Sequence, residues 1–227
     1  MKSSISRISG CLLILIVAMS ITGMPLSAQT NSSVSNVQYL YPVFANGLVK
    51  MKNGTFYQAF LNYNTISQCM VWEKDGKRID LSNMQSVDTV VLQNTKFVPF
   101  EDSFYELLVN GPISLFIQHK SDLVEAGSPA GYGTTSKTAS AKNYSSVSMK
   151  GMIYNLELPS NYTVNPSDVY WIRKNGSMLS FLNKRQMLKL FPEKSNEIDK
   201  FIKQDHLNLT KHNDLVKLGS YLNKIAW

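Results

Sequence analysis

"GLVKMKNGTFYQAFLNYN" (Gly47–Asn64) reads as two strands around a turn. Asn53-Gly54 at its centre supplies residues that tolerate positive φ, as both central positions of a two-residue type I′ hairpin require. Alternation assigns the faces of the second strand. Tyr57, Ala59, Leu61 and Tyr63 share one side, and Phe56 and Phe60 share the other with Gln58 and Asn62. Apolar residues on both faces predict a strand that is covered in part on both sides.

The same punctuation recurs at Asp75-Gly76, Asn110-Gly111 and Asn175-Gly176. Each dipeptide lies between strand-like runs. "QCMVWEK" meets "KRIDL", "FYELLV" meets "PISLFIQHK", and "VYWIRK" meets "SMLSFLN". "VDTVVLQN", "TKFVPF" and "MIYNLELP" add further strands. In "PISLFIQHK", Ile113, Leu115 and Ile117 share one face and Phe116 takes the other, the pattern of a central strand. Residues 38–125 are therefore predicted to form an antiparallel, hairpin-built curved sheet or small barrel. Residues 148–182 should add strands.

From residue 183 the apolar period changes from two to about 3.6. Asn183 is placed to cap a helix whose third position is Gln186, with Leu182 stapled onto Met187 and Pro192 ending it. Ser195 opens a second helix with Ile198, Phe201 and Ile202 on one side. Leu215, Leu218, Leu222 and Ile225 stripe a third. Such short amphipathic helices need a surface to pack on, so residues 183–227 are predicted to cover the sheet. The expected class is mainly β (α+β).

The N-terminus reads as an export signal. Lys2 and Arg7 precede the apolar run "CLLILIVAMSIT" (Cys11–Thr22), too short for a comfortable membrane span, and "PLSAQT" offers cleavage after Ala28. Residues 29–37 are expected to be a disordered leader. Beyond residue 28, Cys69 is the only cysteine, which rules out an internal disulfide there and suits a buried structural thiol.

Removing residues 1–28 lowers the net charge from +7 to +5, and the excess sits in the C-terminal third. That charge is interspersed with acids, which fits a solvated surface and argues against nucleic acid.

Catalytic and metal signatures are scarce. C-x-x-C, H-E-x-x-H, G-x-S-x-G and S-x-x-K are all missing. "PFEDSFYE" (Pro99–Glu106) brings Glu101, Asp102 and Glu106 close in sequence, and His119 falls at a strand end. Two of these facing each other across a cleft would suit a hydrolase. The alternative is a turn followed by a solvated strand edge. A metal site from His206, His212 and Asp214 is outweighed by solvated loop histidines, because ligands must converge. No metal or cofactor is expected.

"AGSPAGYGTTSKTASAKNYSSVS" (Ala126–Ser148) resembles G-x-G-x-x-G at Gly131–Ser136. A dinucleotide site needs a helix after the glycines and an acid about twenty residues on. "KTASAKNYSS" is a poor helix, and no glycine here precedes a lysine, so neither nucleotide fingerprint is met. Residues 126–147 are expected to be a long Gly/Ser/Thr-rich loop, a candidate contact surface. Tyr132, Gly133, Thr134 and Tyr144 on it, with Trp171 on a later strand, are the expected ligand or partner contacts.

"LVKMKNGTFYQAFLNYN", "KFVPFEDSFYELLVNG", "LFIQHK", "AGSPAGYGTTS" and "KRQMLKLFPEKSNEIDKFIKQ", between Leu48 and Gln204, resemble an uncharacterised family of exported, β-rich proteins from Bacteroidetes. The resemblance implies a Gram-negative envelope setting, periplasmic or extracellular, and supplies no activity. Together these readings favour a non-catalytic envelope protein that binds a protein or glycan partner, with no membrane span after cleavage. A secreted or periplasmic hydrolase using the acids near 101–106 is the second reading.

Overall fold

The computed structural model describes residues 37–81, 83–125, 129–130, 134–135 and 162–225. Its main element is a ten-stranded antiparallel sheet. The strands are β1 (Ala45–Met51), β2 (Phe56–Asn64), β3 (Cys69–Lys74), β4 (Lys77–Asp80), β5 (Val87–Leu92), β6 (Thr95–Phe100), β7 (Ser103–Val109), β8 (Ile113–Gln118), β13 (Val169–Lys174) and β14 (Ser177–Phe181), in the order β14-β13-β8-β7-β6-β5-β1-β2-β3-β4. A separate ladder joins β9 (Ser121–Glu125) to β12 (Tyr162–Pro166). Another joins β10 (Pro129–Ala130) to β11 (Thr134–Thr135). The helices are α1 (Lys184–Lys189), α2 (Ser195–Gln204) and α3 (His212–Ile225). The mainly-β class with a helical C-terminal segment is the one found. The sheet stays open: its outermost strands, β14 and β4, do not pair with each other.

All four predicted hairpins form, and their turns differ for physical reasons. Asp75-Gly76 (φ 52 and 71) and Asn175-Gly176 (φ 51 and 78) take positive φ at both central residues, as type I′ demands. At the first hairpin the expected two-residue turn is replaced by a longer loop. Gly54 N–H donates to Met51 O at 3.0 Å, and Asn53 Oδ1 accepts from Thr55 N. Gly111 does not use positive φ at all. A Cβ there would lie 2.5 Å from Asn223 Oδ1, so this glycine makes room for α3. Gln93-Asn94 (φ 48 and 65) turns β5 into β6 without any glycine.

One face of the sheet carries the two larger cores, and Tyr39, Phe44 and Val71 form a small third cluster. Val49, Leu61, Tyr63, Val90, Phe97 and Phe104 centre the first. Ile117, Ile172 and Phe181 meet Met187, Ile198 and Leu218 from the helices in the second. The sheet coils at the first core. Gln68 O accepts from Phe104 N at 3.0 Å, and the buried Tyr63 hydroxyl lies 3.0 Å from the carbonyls of both Phe104 and His119. The β2–β3 corner thus folds over onto β7.

On the second core, α3 comes so close that a Cβ on Gly219 would sit 2.8 Å from Val109 Cγ2. Asn183 caps α1 as expected, with Oδ1 accepting from Gln186 N at 3.0 Å. Leu182 is 57% exposed, so the expected staple onto the buried Met187 is not made. Ser195 starts α2 without a side-chain cap, following a 3-10 turn at Pro192–Lys194. No helix among the described residues is long and apolar enough to cross a membrane.

Candidate functional site

Two places on this sheet concentrate chemistry, one on each face. The first lies between the two cores. Glu106 on β7 is in register with Ile117 on β8, and it points inward with Phe97 and Phe104. His119 continues the inward row of Ile113, Leu115 and Ile117 two residues further on. Its Nε2 is 2.6 Å from Glu106 Oε2. Its Nδ1 is 3.3 Å from Asp168 Oδ2, and Asp168 Oδ1 accepts from Lys120 N at 3.2 Å. From the start of α3, His212 Nε2 reaches Glu106 Oε1 at 2.9 Å. The result is a chain Asp168–His119–Glu106–His212 that runs from loop through sheet to helix.

Burial grades along this chain. The Glu106 and His119 side chains are 9% and 11% exposed, against 34% for Asp168 and 56% for His212. Tyr63 meets the His119 ring edge-on at 5.9 Å, and Phe97 flanks it at 6.4 Å. A carboxylate faces each ring nitrogen, and only an imidazolium can donate to both. Burial by itself lowers the His119 pKa, but hydrogen bonds and charge from Asp168 and Glu106 override it and raise the value to about 9. Burial likewise opposes ionisation of Glu106, yet the hydrogen bonds from His119 and His212 hold its pKa below the ordinary 4.5. His119 therefore keeps no lone pair to take up a proton near neutral pH. Both oxygens of Glu106 are occupied.

Of the four residues considered for hydrolysis, Glu106 and His119 converge. Glu101 and Asp102 stand exposed in the β6–β7 turn, where Glu101 takes φ 52. The expected solvated strand edge is corrected at Glu106, which is 7% exposed because its place in the alternation is inward. The solvated-loop reading of His212 is corrected too: it opens α3 and is bound to Glu106. His206 is exposed, and Asp214 Oδ2 accepts from Asn208 N at 3.0 Å. Among the described residues, no group of three or more His, Cys, Asp or Glu is arranged to hold a metal ion.

The second place is the outer face. Here a groove of about 280 Å³ crosses from β5 to β14. Phe100 and Met178 give it apolar surface above the buried Tyr105 and Phe116, Lys96 and Arg173 give it charge, and its exposed lining is mostly polar. Phe100 packs edge-on against Tyr105 at 5.9 Å, and Tyr105 against Trp171 at 5.8 Å. Burial and the nearby Glu101 carboxylate push the Tyr105 hydroxyl up to about 12. Phe116 is only 1% exposed although it points outward, which fits a strand covered on both sides. The Arg173 guanidinium lies 5.3 Å from its ring centroid and donates through Nη2 to Ser114 Oγ at 3.2 Å.

Trp171, expected as a contact, adjoins this groove and is tied by Nε1 to Gln118 Oε1 at 2.9 Å. Thr134 pairs with Ala130 in the short β10–β11 ladder. Tyr132, Gly133 and Tyr144 lie outside the described residues, as does the expected strand "MIYNLELP".

Two signals for these sites are present in the sequence. Glu106 and His119 each fall in phase with an apolar row, where a charged residue has to be paired. Asp168 has no such marker. No family model, curated protein or solved structure matches the chain.

Proposed function

We propose that this chain is an exported envelope protein without catalytic activity, and that it binds its partner molecule on the outer face of the sheet. The observation that carries this reading is the aromatic-walled groove with Lys96 and Arg173 among its lining residues. Ligand sites are typically concave, with a few placed polar groups that fix orientation. The engagement of both His119 nitrogens and both Glu106 oxygens favours binding over hydrolysis. In this reading the Asp168–His119–Glu106–His212 chain fastens α3 and the β12–β13 connection to the sheet. The leader-like N-terminus supports the envelope setting.

The test is a panel of glycans and peptides screened for binding to the protein and to Phe100→Ala. Binding that the substitution weakens is expected, with the bound molecule recovered unchanged. Binding that Phe100→Ala leaves intact would move the site elsewhere. Turnover abolished by Glu106→Gln would replace this reading with the hydrolase.

A further inference from the structure

We propose that the outer-face groove takes a carboxylate-bearing sugar residue of the uronic-acid type. The inference rests on the binding reading above and adds the chemical class of the ligand.

Charge comes first. Lys96 and Arg173 line the groove against one acid, Asp88. That acid is already matched: Lys50 Nζ lies 3.0 Å from Asp88 Oδ2. The Lys50 hydrogen bond leads the influences holding the Asp88 carboxyl below its ordinary value, and the more distant Lys96 charge adds to them. Among the described residues, neither Lys96 nor Arg173 forms an ion pair with a carboxylate. The groove therefore carries cationic charge that its own lining leaves unbalanced, and an anionic group on the ligand would balance it. Arg173 is the better placed of the two. Its ring contact with Phe116 and its bond to Ser114 Oγ fix the plane of the guanidinium. One of its five N–H groups is spent there, and the others remain for a carboxylate.

The walls narrow the choice to a sugar. The Phe100 ring is 37% exposed and is held by its edge contact with Tyr105, a flat apolar surface suited to the C–H face of a pyranose. The exposed Asn110 adds a polar group able to meet ring hydroxyls. The volume of about 280 Å³ is close to the lower end of ligand pockets, which fits one sugar unit of a longer chain. An extended peptide would seek a free strand edge. The groove floor instead crosses β5 to β8, whose strands all pair on both sides.

The experiment is a titration of the ¹⁵N-labelled protein with tri-galacturonic acid and, separately, with its methyl ester. Amide shifts are expected around Lys96, Phe100 and Arg173, with the ester at least about tenfold weaker, as loss of a charge-assisted hydrogen bond implies. Arg173→Met should weaken the acid about tenfold and leave the ester unchanged. Phe100→Ala should weaken both, and unchanged melting temperatures would show that both variants fold. Equal binding of acid and ester overturns the uronic-acid assignment and leaves the groove standing. Shifts confined to other surfaces, or no shift with either probe, overturn both.

Discussion

Glu106 on β7 and His119, just past the end of β8, have Oε2 and Nε2 2.6 Å apart where the two larger hydrophobic cores of the sheet meet. Among the described residues, Glu106 links His119 to His212, and His119 links Glu106 to Asp168. Without Glu106, His212 loses its anchor. Without His119, Asp168 is left with its bond from Lys120 N.

The His119 pKa is raised from 6.5 to about 9, so its stabilisation is full below about pH 6.5 and is lost as pH rises through 9. The Glu106 pKa is lowered, so its contribution is present above about pH 4.5 and is lost on acidification. The groups facing them are Asp168 and His212, with Tyr63 behind. Melting temperature measured from pH 4 to pH 10 should fall on the alkaline side between about pH 6.5 and 9. His119→Gln should flatten that limb. An unchanged limb in the variant would sink the imidazolium assignment.

Removing one charge should cost more than removing two. Glu106→Gln leaves an imidazolium with one carboxylate fewer in a buried place, and should destabilise by about 3 kcal/mol. Glu106→Leu combined with His119→Phe should cost clearly less, because no buried charge is stranded between them. Denaturant unfolding of the two variants settles the order. A double variant as unstable as the single one would mean that packing, not charge, dominates.

Asp80 offers the opposite sign. Burial raises its pKa from 3.8 to about 6, so ionising it works against folding. The penalty is absent below about pH 3.8 and complete above about pH 6. Asp80→Asn should therefore stabilise by about 1 kcal/mol at pH 8 and have little effect at pH 4, the figure being reduced for partial exposure. Equal effects at both pH values would exclude the burial cause.

Asn223 acts as a side-chain strand partner for Ile113. Its Oδ1 accepts from Ile113 N at 2.9 Å and its Nδ2 donates to Ile113 O at 2.7 Å. Asn223→Ala should cost about 1–3 kcal/mol by leaving those groups unmet. Gly111→Ala should also destabilise, since its Cβ would meet Asn223 Oδ1 at 2.5 Å. In the double variant the clash disappears, so the combined loss should fall short of the sum. Strict additivity in the double-mutant cycle would remove the steric explanation for Gly111.

The local pattern of this sequence determined the strands of the main sheet, where its four marked hairpins fall, and its three helices. Alternation placed Leu61 and Tyr63 inside, and Asn183 announced the first helix, because both depend on neighbours within a few residues. The same alternation put Glu106 and His119 on inward rows. Tertiary structure decided what local pattern does not carry. Gly111 looked like a turn glycine and instead makes room for Asn223, over a hundred residues away. Asp168 and His212 reach the Glu106–His119 pair only because β13 joins β8 and α3 docks over β7 and β8. The groove likewise exists only because β6, which carries Lys96 and Phe100, and β13, which carries Arg173, join one sheet with β7 and β8 between them. Backbone preference is set by adjacent residues, whereas a site is set by contacts between distant ones, and only the folded sheet brings those together.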